Sequence, residues 1–232
     1  MSTPLTRTAA SAAVEDIGWR HLLGTLATSV AVDSLARGAS VAAEIAAACG
    51  DDAEAHLTMD LRPDRVELTL MDRSIAGTTM RDVELARIVT DVVRTQGLET
   101  GGVSTTSSSG RPVQQIEFAV DAMDIPAVRP FWKAVFAYVD ERGDGAPDDG
   151  LVDPARQGPA MWFQQMSEPR EPRNRIHFDI SVAHDEAEAR VAAAIEAGGH
   201  LVSDAEARAF WLLADREGNE VCVCTWQDRD PE

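Results

Sequence analysis

The feature that most restricts the fold is a pattern that occurs twice in the second half of the chain. The stretch "VQQIEFAVD" alternates like a strand, the residues around Phe131 to Tyr138 have helical spacing, and "AMWFQQM" alternates again. The same order follows in "RNRIHFDISV", a helix from Glu186 to Ala197, and strands at "AFWLLAD" and "EVCVCTW". Each copy reads as a βαβββ unit. The copies share a pattern of apolar positions rather than residues.

The first half is organised differently. Val14 to Leu26 is helical in pattern, and Leu35, Ala39, Ala42, Ile45 and Cys49 recur at helical spacing until Gly50 stops the helix. Leu57, Met59 and Leu61 then alternate with His56, Thr58 and Asp60, and Val66, Leu68 and Leu70 repeat the alternation after the "RPDR" turn. That is a hairpin with one apolar face. Thr79 has the chemistry of an N-cap, Asp82 and Glu84 suit the positive end of the helix it opens, and Leu85, Ile88, Val89 and Val92 form its buried stripe up to Gly97. The order α-α-β-β-α puts helices on an antiparallel sheet, so the whole chain is expected to be α+β. Gly101 to Arg111, "GGVSTTSSSGR", is Gly- and Ser-rich with almost no apolar content and marks the boundary between domains at 1–100 and 112–232. Asp140 to Gln157, with many Gly, Pro and Asp residues, reads as a long loop holding at most one short strand.

A chain of 232 residues can bury two small cores. Its net charge of −18 opposes phosphate binding, and no basic stripe interrupts the acidity, so nucleic acid is not an expected partner. No apolar run approaches the roughly 20 residues of a spanning helix, and the N-terminus lacks the charged start and long apolar stretch of an export signal. The expected location is the cytoplasm, with no membrane partner. Cys49, Cys222 and Cys224 form no disulfide framework, since the last two alternate along one strand.

The stretch "EAHLTMDLRPDRVELTLMDR" followed by "AGTTMRDVELARIV" resembles the pterin-4a-carbinolamine dehydratases over roughly Trp19 to Gln96. The resemblance implies a small α+β fold with His-His-Pro at the start of the hairpin, a later His and an Asp at a helix start. Ala55, His56 and Leu57 stand at the His-His-Pro positions here, Arg73 at the later His, and Asp82 at the Asp. Histidine suits the protonation of a leaving hydroxyl and the removal of a ring proton near neutral pH. The candidate catalytic residues are therefore His56 and Asp82, with Asp60 and Arg73 as ligand contacts. Two readings of His56 stand side by side: a surviving acid/base group, or a polar strand-face residue left in an eroded site.

The second half resembles the glyoxalase-like branch of the vicinal oxygen chelate superfamily over about Val113 to Gln227. The residues that carry it are Phe131-Trp132, "GPAMWFQQMSEP", "NRIHFDI" and "DREGNEVCV". The resemblance implies two βαβββ modules around a ligand groove, often with a divalent metal held by one residue from each of four strands. Those places fall at Glu117, Gln164, His177 and Cys222. Either they hold a metal, for which zinc suits the set best, or they are the polar lining of a metal-free groove. Asp179, Trp162 and Trp211 complete the candidate ligand-binding residues. The tryptophans are either core or rim residues or stacking platforms.

The expected function is small-molecule binding, of a pterin-like or aromatic metabolite, by the glyoxalase-like groove, with no cofactor favoured. The alternatives are a 4a-hydroxytetrahydrobiopterin dehydratase-type lyase using His56, and a metal-dependent lyase, dioxygenase or isomerase in the second domain. A homodimer is expected, because an antiparallel sheet in so small a domain must cover its edges, and the rival expectation is a monomer whose first sheet is capped by the second domain.

Overall fold

The computed structural model describes residues 3–101, 113, 115–141, 146, 149–169, 177–225 and 227–228. The chain divides into two compact units, Met1–Gln115 and Ile116–Glu232. Of the Gly/Ser-rich stretch expected as the boundary, residues 102–111 lie outside the described residues.

The first unit runs α1 (Arg7–Ala12), a 3-10 turn at Glu15–Ile17, β1 (Arg20–Leu22), β2 (Thr25–Ala31), α2 (Leu35–Cys49), α3 (Asp52–His56), β3 (Leu57–Leu61), β4 (Arg65–Leu70) and α4 (Met80–Thr95). The helix expected over Val14 to Leu26 is instead a turn and an antiparallel hairpin. Backbone sign explains the difference. Leu23 and Gly24 both have positive φ, 43° and 78°, the requirement of a two-residue hairpin turn. Tertiary pairing then selects the strand period: Leu26, Thr28 and Val30 lie opposite Leu70, Leu68 and Val66, which gives β2 and β4 a common apolar face. The sheet order is β1-β2-β4-β3.

Helix α2 opens with the Ser34 side chain accepting from the Arg37 backbone N–H and stops at Gly50 with φ 60°. Its buried stripe is Gly38, Val41, Ala42, Ile45 and Cys49, while Leu35, assigned to that stripe from spacing, is 54% exposed. Gly38 lets the helix approach the sheet closely, since an added Cβ would lie 3.3 Å from a Val66 methyl and Val66 would have to give slightly. Leu85, Val89 and Val93 of α4 join Trp19, Leu26, Ile45, Leu68 and Leu70 in one core. The buried Trp19 indole N–H donates to the Thr90 hydroxyl at 3.0 Å, so the polar atom carried into this core is satisfied.

The second unit runs β5 (Glu117–Ala122), α5 (Ile125–Phe136), β6 (Val139–Asp140), β7 (Leu151–Val152), β8 (Ala160–Gln165), β9 (Phe178–Ser181), α6 (Ala187–Glu196), β10 (His200–Ser203), β11 (Phe210–Ala214) and β12 (Glu220–Cys224). These are two βαβββ modules. Their sheets have the orders β5-β8-β7-β6 and β10-β11-β12-β9, and in each the first strand of the module runs parallel to its last. Helix α5 begins well before Phe131. Pro126 is tolerated because it sits in the first turn, where its missing N–H has no helical partner. Asp124 caps this helix, and the Glu217 carboxylate accepts from the Met123 and Asp124 N–H groups at 2.8 and 2.7 Å.

The same "DREGN" segment holds the core from below. Buried Asp215 accepts the Trp132 indole N–H at 3.0 Å and the backbone N–H groups of Glu217 and Asn219. Phe131, Trp132, Met161, Leu213, Val221 and Val223 fill the space between helices and sheets. In the long loop expected over Asp140 to Gln157, β6 and β7 pair antiparallel, and residues 142–145 and 147–148 lie outside the described residues. Among the described residues no helix is long and apolar enough to cross a membrane.

Candidate functional sites

The first unit brings His56 and Asp82 together from positions 26 residues apart: His56 Nδ1 lies 2.8 Å from Asp82 Oδ1. Asp82 is fully buried in the first turn of α4, where its Oδ2 accepts both the backbone N–H and the hydroxyl of Thr79, each at 2.7 Å. Thr79 and Asp82 thus form a capping box, and the carboxylate serves the helix end and the imidazole at once. An ionised carboxylate only accepts, so Nδ1 carries the hydrogen. The other ring nitrogen, Nε2, is not engaged by Asp82.

His56 does not share a strand face with Thr58 and Asp60, as alternation suggests. It is the last residue of α3, its side chain 9% exposed and turned onto α4. The Arg73 guanidinium donates to the carbonyls of Glu54 and Leu57 and to the Thr58 hydroxyl, which satisfies the end of that short helix. Asp60 stays on the exposed side of β3 and pairs with Arg62 at 2.6 Å.

In the second unit, Phe118 of β5 and Phe178 of β9 pack with ring centroids 4.7 Å apart, which brings the two modules' first strands together on the core side. Their odd-numbered neighbours therefore face away from the core side by side. From the first module this open face carries Glu117, Asp121, Trp162 and Gln164, because Ala119 is in register with Trp162 and Asp121 with Gln164. From the second module it carries His177, Asp179 and Cys222, with Leu212 in register beside Cys222.

His177, Asp179 and Cys222 each offer a ligand atom, and these atoms all lie within 4.8 Å of one another. His177 Nε2 is 3.3 Å from Asp179 Oδ1. Cys222 forms the buried floor, and burial, followed by the charge of Asp179, pushes its thiol up to about 12. At neutral pH it is a protonated, neutral group. Imidazole nitrogen, carboxylate oxygen and cysteine sulfur make a donor set that fits zinc, whereas magnesium requires oxygen donors.

Of the four places inferred for a metal, the structure gathers His177 and Cys222. Glu117 is not part of their cluster, and Gln164 is directed along its own strand toward the Gln165 carbonyl at 3.5 Å. The third member is Asp179, whose place two residues after His177 on one strand face is the signal available in the sequence. Trp162 is 42% exposed on the open face. Trp211 is in register with Val223 and packs with the core, on the other side of the sheet from Cys222. Leu212 lies beside Cys222 on the same face, a placement that only strand register identifies.

The profile of the glyoxalase-like domain matches residues 117–224, so this part of the chain is a glyoxalase-like domain of the vicinal oxygen chelate superfamily. Members of that superfamily bind small molecules and often act as metal-dependent enzymes. Among solved structures, a glyoxalase/bleomycin resistance protein/dioxygenase family enzyme from Burkholderia phytofirmans PsJN is similar at 19% identity and TM-score 0.39, over 47% of this chain and 95% of that one. A possible glyoxalase from Bacillus cereus is similar at 14% identity and TM-score 0.38, over 48% and 98%. The fosfomycin resistance protein FosX from Mesorhizobium loti is similar at 10% identity and TM-score 0.35, over 49% and 90%. No curated protein matches the chain.

Proposed function

We propose that the glyoxalase-like unit is a small-molecule binding module that takes a planar metabolite, of the pterin or aromatic class, on its open sheet face. The observation that carries this reading is Trp162. An indole 42% exposed in mid-strand leaves apolar surface in water, and it stands among Glu117, Asp121 and Gln164, groups able to orient a polar ring edge. Stacking supplies affinity and the polar row supplies orientation. A metal at the neighbouring histidine, aspartate and cysteine would add a Lewis acid at the edge of the same face. The test is a thermal-shift panel of pterins, flavins and aromatic acids on the whole protein and on Trp162→Ala. Saturation at about 100 times Kd stabilises by about 2.7 kcal/mol, an effect that Trp162→Ala removes. A panel without any stabilising compound overturns the reading.

The His56–Asp82 pair favours a second reading for the first unit, a 4a-hydroxytetrahydropterin dehydratase-type lyase. Asp82 holds the ring by Nδ1, and Nε2 exchanges a proton with the substrate, taking one from the ring or returning one to the leaving hydroxyl. Arg73, engaged by Glu54, Leu57 and Thr58, has no part in it. Dehydration by the native protein at a rate matched by His56→Ala, or no rate above the uncatalysed one, removes this reading. The homodimer belongs with these proposals, and light scattering that gives one chain's mass at every concentration rejects it.

A further inference from the structure

We infer that His177, Asp179 and Cys222 form a zinc site built on the second module alone, on the paired strands β9 and β12. The two strands run parallel with Cys222 in register with Asp179, so these side chains leave the sheet next to each other on one face. His177 precedes Asp179 by two residues and projects from the same face.

The donor atoms converge. All three lie within 4.8 Å of one another, and the nitrogen-to-oxygen distance is already 3.3 Å. Metal bonds of about 2.0–2.3 Å in a tetrahedron place ligand atoms about 3.5 Å apart, so small rotamer adjustments close the set. An exposed histidine beside an aspartate is by itself an ordinary surface pair. What separates this cluster from one is the third donor, a cysteine 7% exposed on the neighbouring strand, in register with Asp179.

Cys222 is buried, while His177 and Asp179 are 52% and 62% exposed. Three protein donors leave one position of a tetrahedral zinc for a water or an exchangeable ligand. Sulfur among the donors selects zinc over magnesium, calcium or manganese. Binding exchanges the Cys222 S–H for an S–Zn bond and releases the proton to solvent. Glu117 and Gln164 of the first module take no part. The site stands on strand register within one module, independent of what stacks on Trp162.

Cobalt(II), a spectroscopic stand-in for zinc, tests this on the full chain freed of metal with a chelator and without organic ligand present. Titration should give a near-ultraviolet sulfur-to-cobalt charge-transfer band that saturates at one cobalt per chain, and zinc should displace it. Cys222→Ser abolishes the band, Asp179→Asn weakens cobalt binding tenfold or more, and Glu117→Gln and Cys224→Ser leave the spectrum unchanged. Far-ultraviolet circular dichroism of each variant confirms that it is folded. Absence of a thiolate band in the native protein, its persistence in Cys222→Ser, or its loss in Glu117→Gln would each overturn the assignment. A failed ligand panel with a normal cobalt spectrum rejects the groove reading and leaves the zinc site standing.

Discussion

Replacing Asp82 by alanine tests how the first unit is held together. The substitution removes three acceptor contacts at once: the carboxylate accepts from His56 Nδ1 at 2.8 Å and from the Thr79 amide and hydroxyl at 2.7 Å each. All of these groups are buried, Asp82 completely and His56 to 8% exposure. The donors left behind have little access to water, and each stranded polar group costs about 1–3 kcal/mol. Loss of a cap costs about 1 kcal/mol. These figures describe overlapping losses, so the expected destabilisation of the first unit is about 3–5 kcal/mol rather than their sum.

Asp60→Ala is the control. Its Arg62 pair is exposed, 57% and 51%, and its loss changes stability by about 0.5 kcal/mol or less. Because the chain has two units, amide hydrogen exchange across a urea series, read on peptides from α2 and α4, isolates the first from the second. The double variant His56→Ala/Asp82→Ala should be less destabilised than the two single variants added together, since neither partner is then left alone. An Asp82→Ala variant within about 1 kcal/mol of the native protein would refute a carboxylate that joins helix cap to imidazole.

Three further outcomes follow from the second unit. Gly199→Ala drives a methyl group into the buried Phe131 ring, so the unit should lose about 1–3 kcal/mol, and an unchanged melting temperature contradicts that packing. In the metal-free protein the Cys222 thiol, pushed up to about 12, is about one part in 10⁴ thiolate at pH 8; iodoacetamide should label its peptide about 10³-fold more slowly than in the denatured chain, and equal rates refute the burial argument. Hydrogen bonds from Lys133 and then Arg129 hold Asp140 below the usual carboxylate range. Its stabilising contribution is complete above about pH 4 and is lost as pH falls from there through the lowered folded value. Asp140→Asn should therefore flatten the acid side of the second unit's melting profile, and an unaltered slope counts against the cluster.

Local chemistry made much of this protein legible in its sequence. Thr79 and Asp82 announce a helix start because a hydroxyl and a carboxylate three residues apart satisfy the same free N–H groups wherever they occur. Gly50 ends α2 through its own backbone freedom, and the period of apolar residues in the second half is enough to define two βαβββ modules. Tertiary structure decided what periodicity leaves ambiguous. Arg20 to Ala31 became strands because β4 offered an apolar face in register with Leu26 and Val30, and a single short apolar stretch satisfies either period. His56 moved from a strand face into the short α3 because Arg73, distant in sequence, satisfies that helix's last carbonyls. Asp179 lies beside His177 and Cys222 because the parallel register of β9 and β12 sets which side chains are neighbours, and register is a property of two strands that neither contains alone.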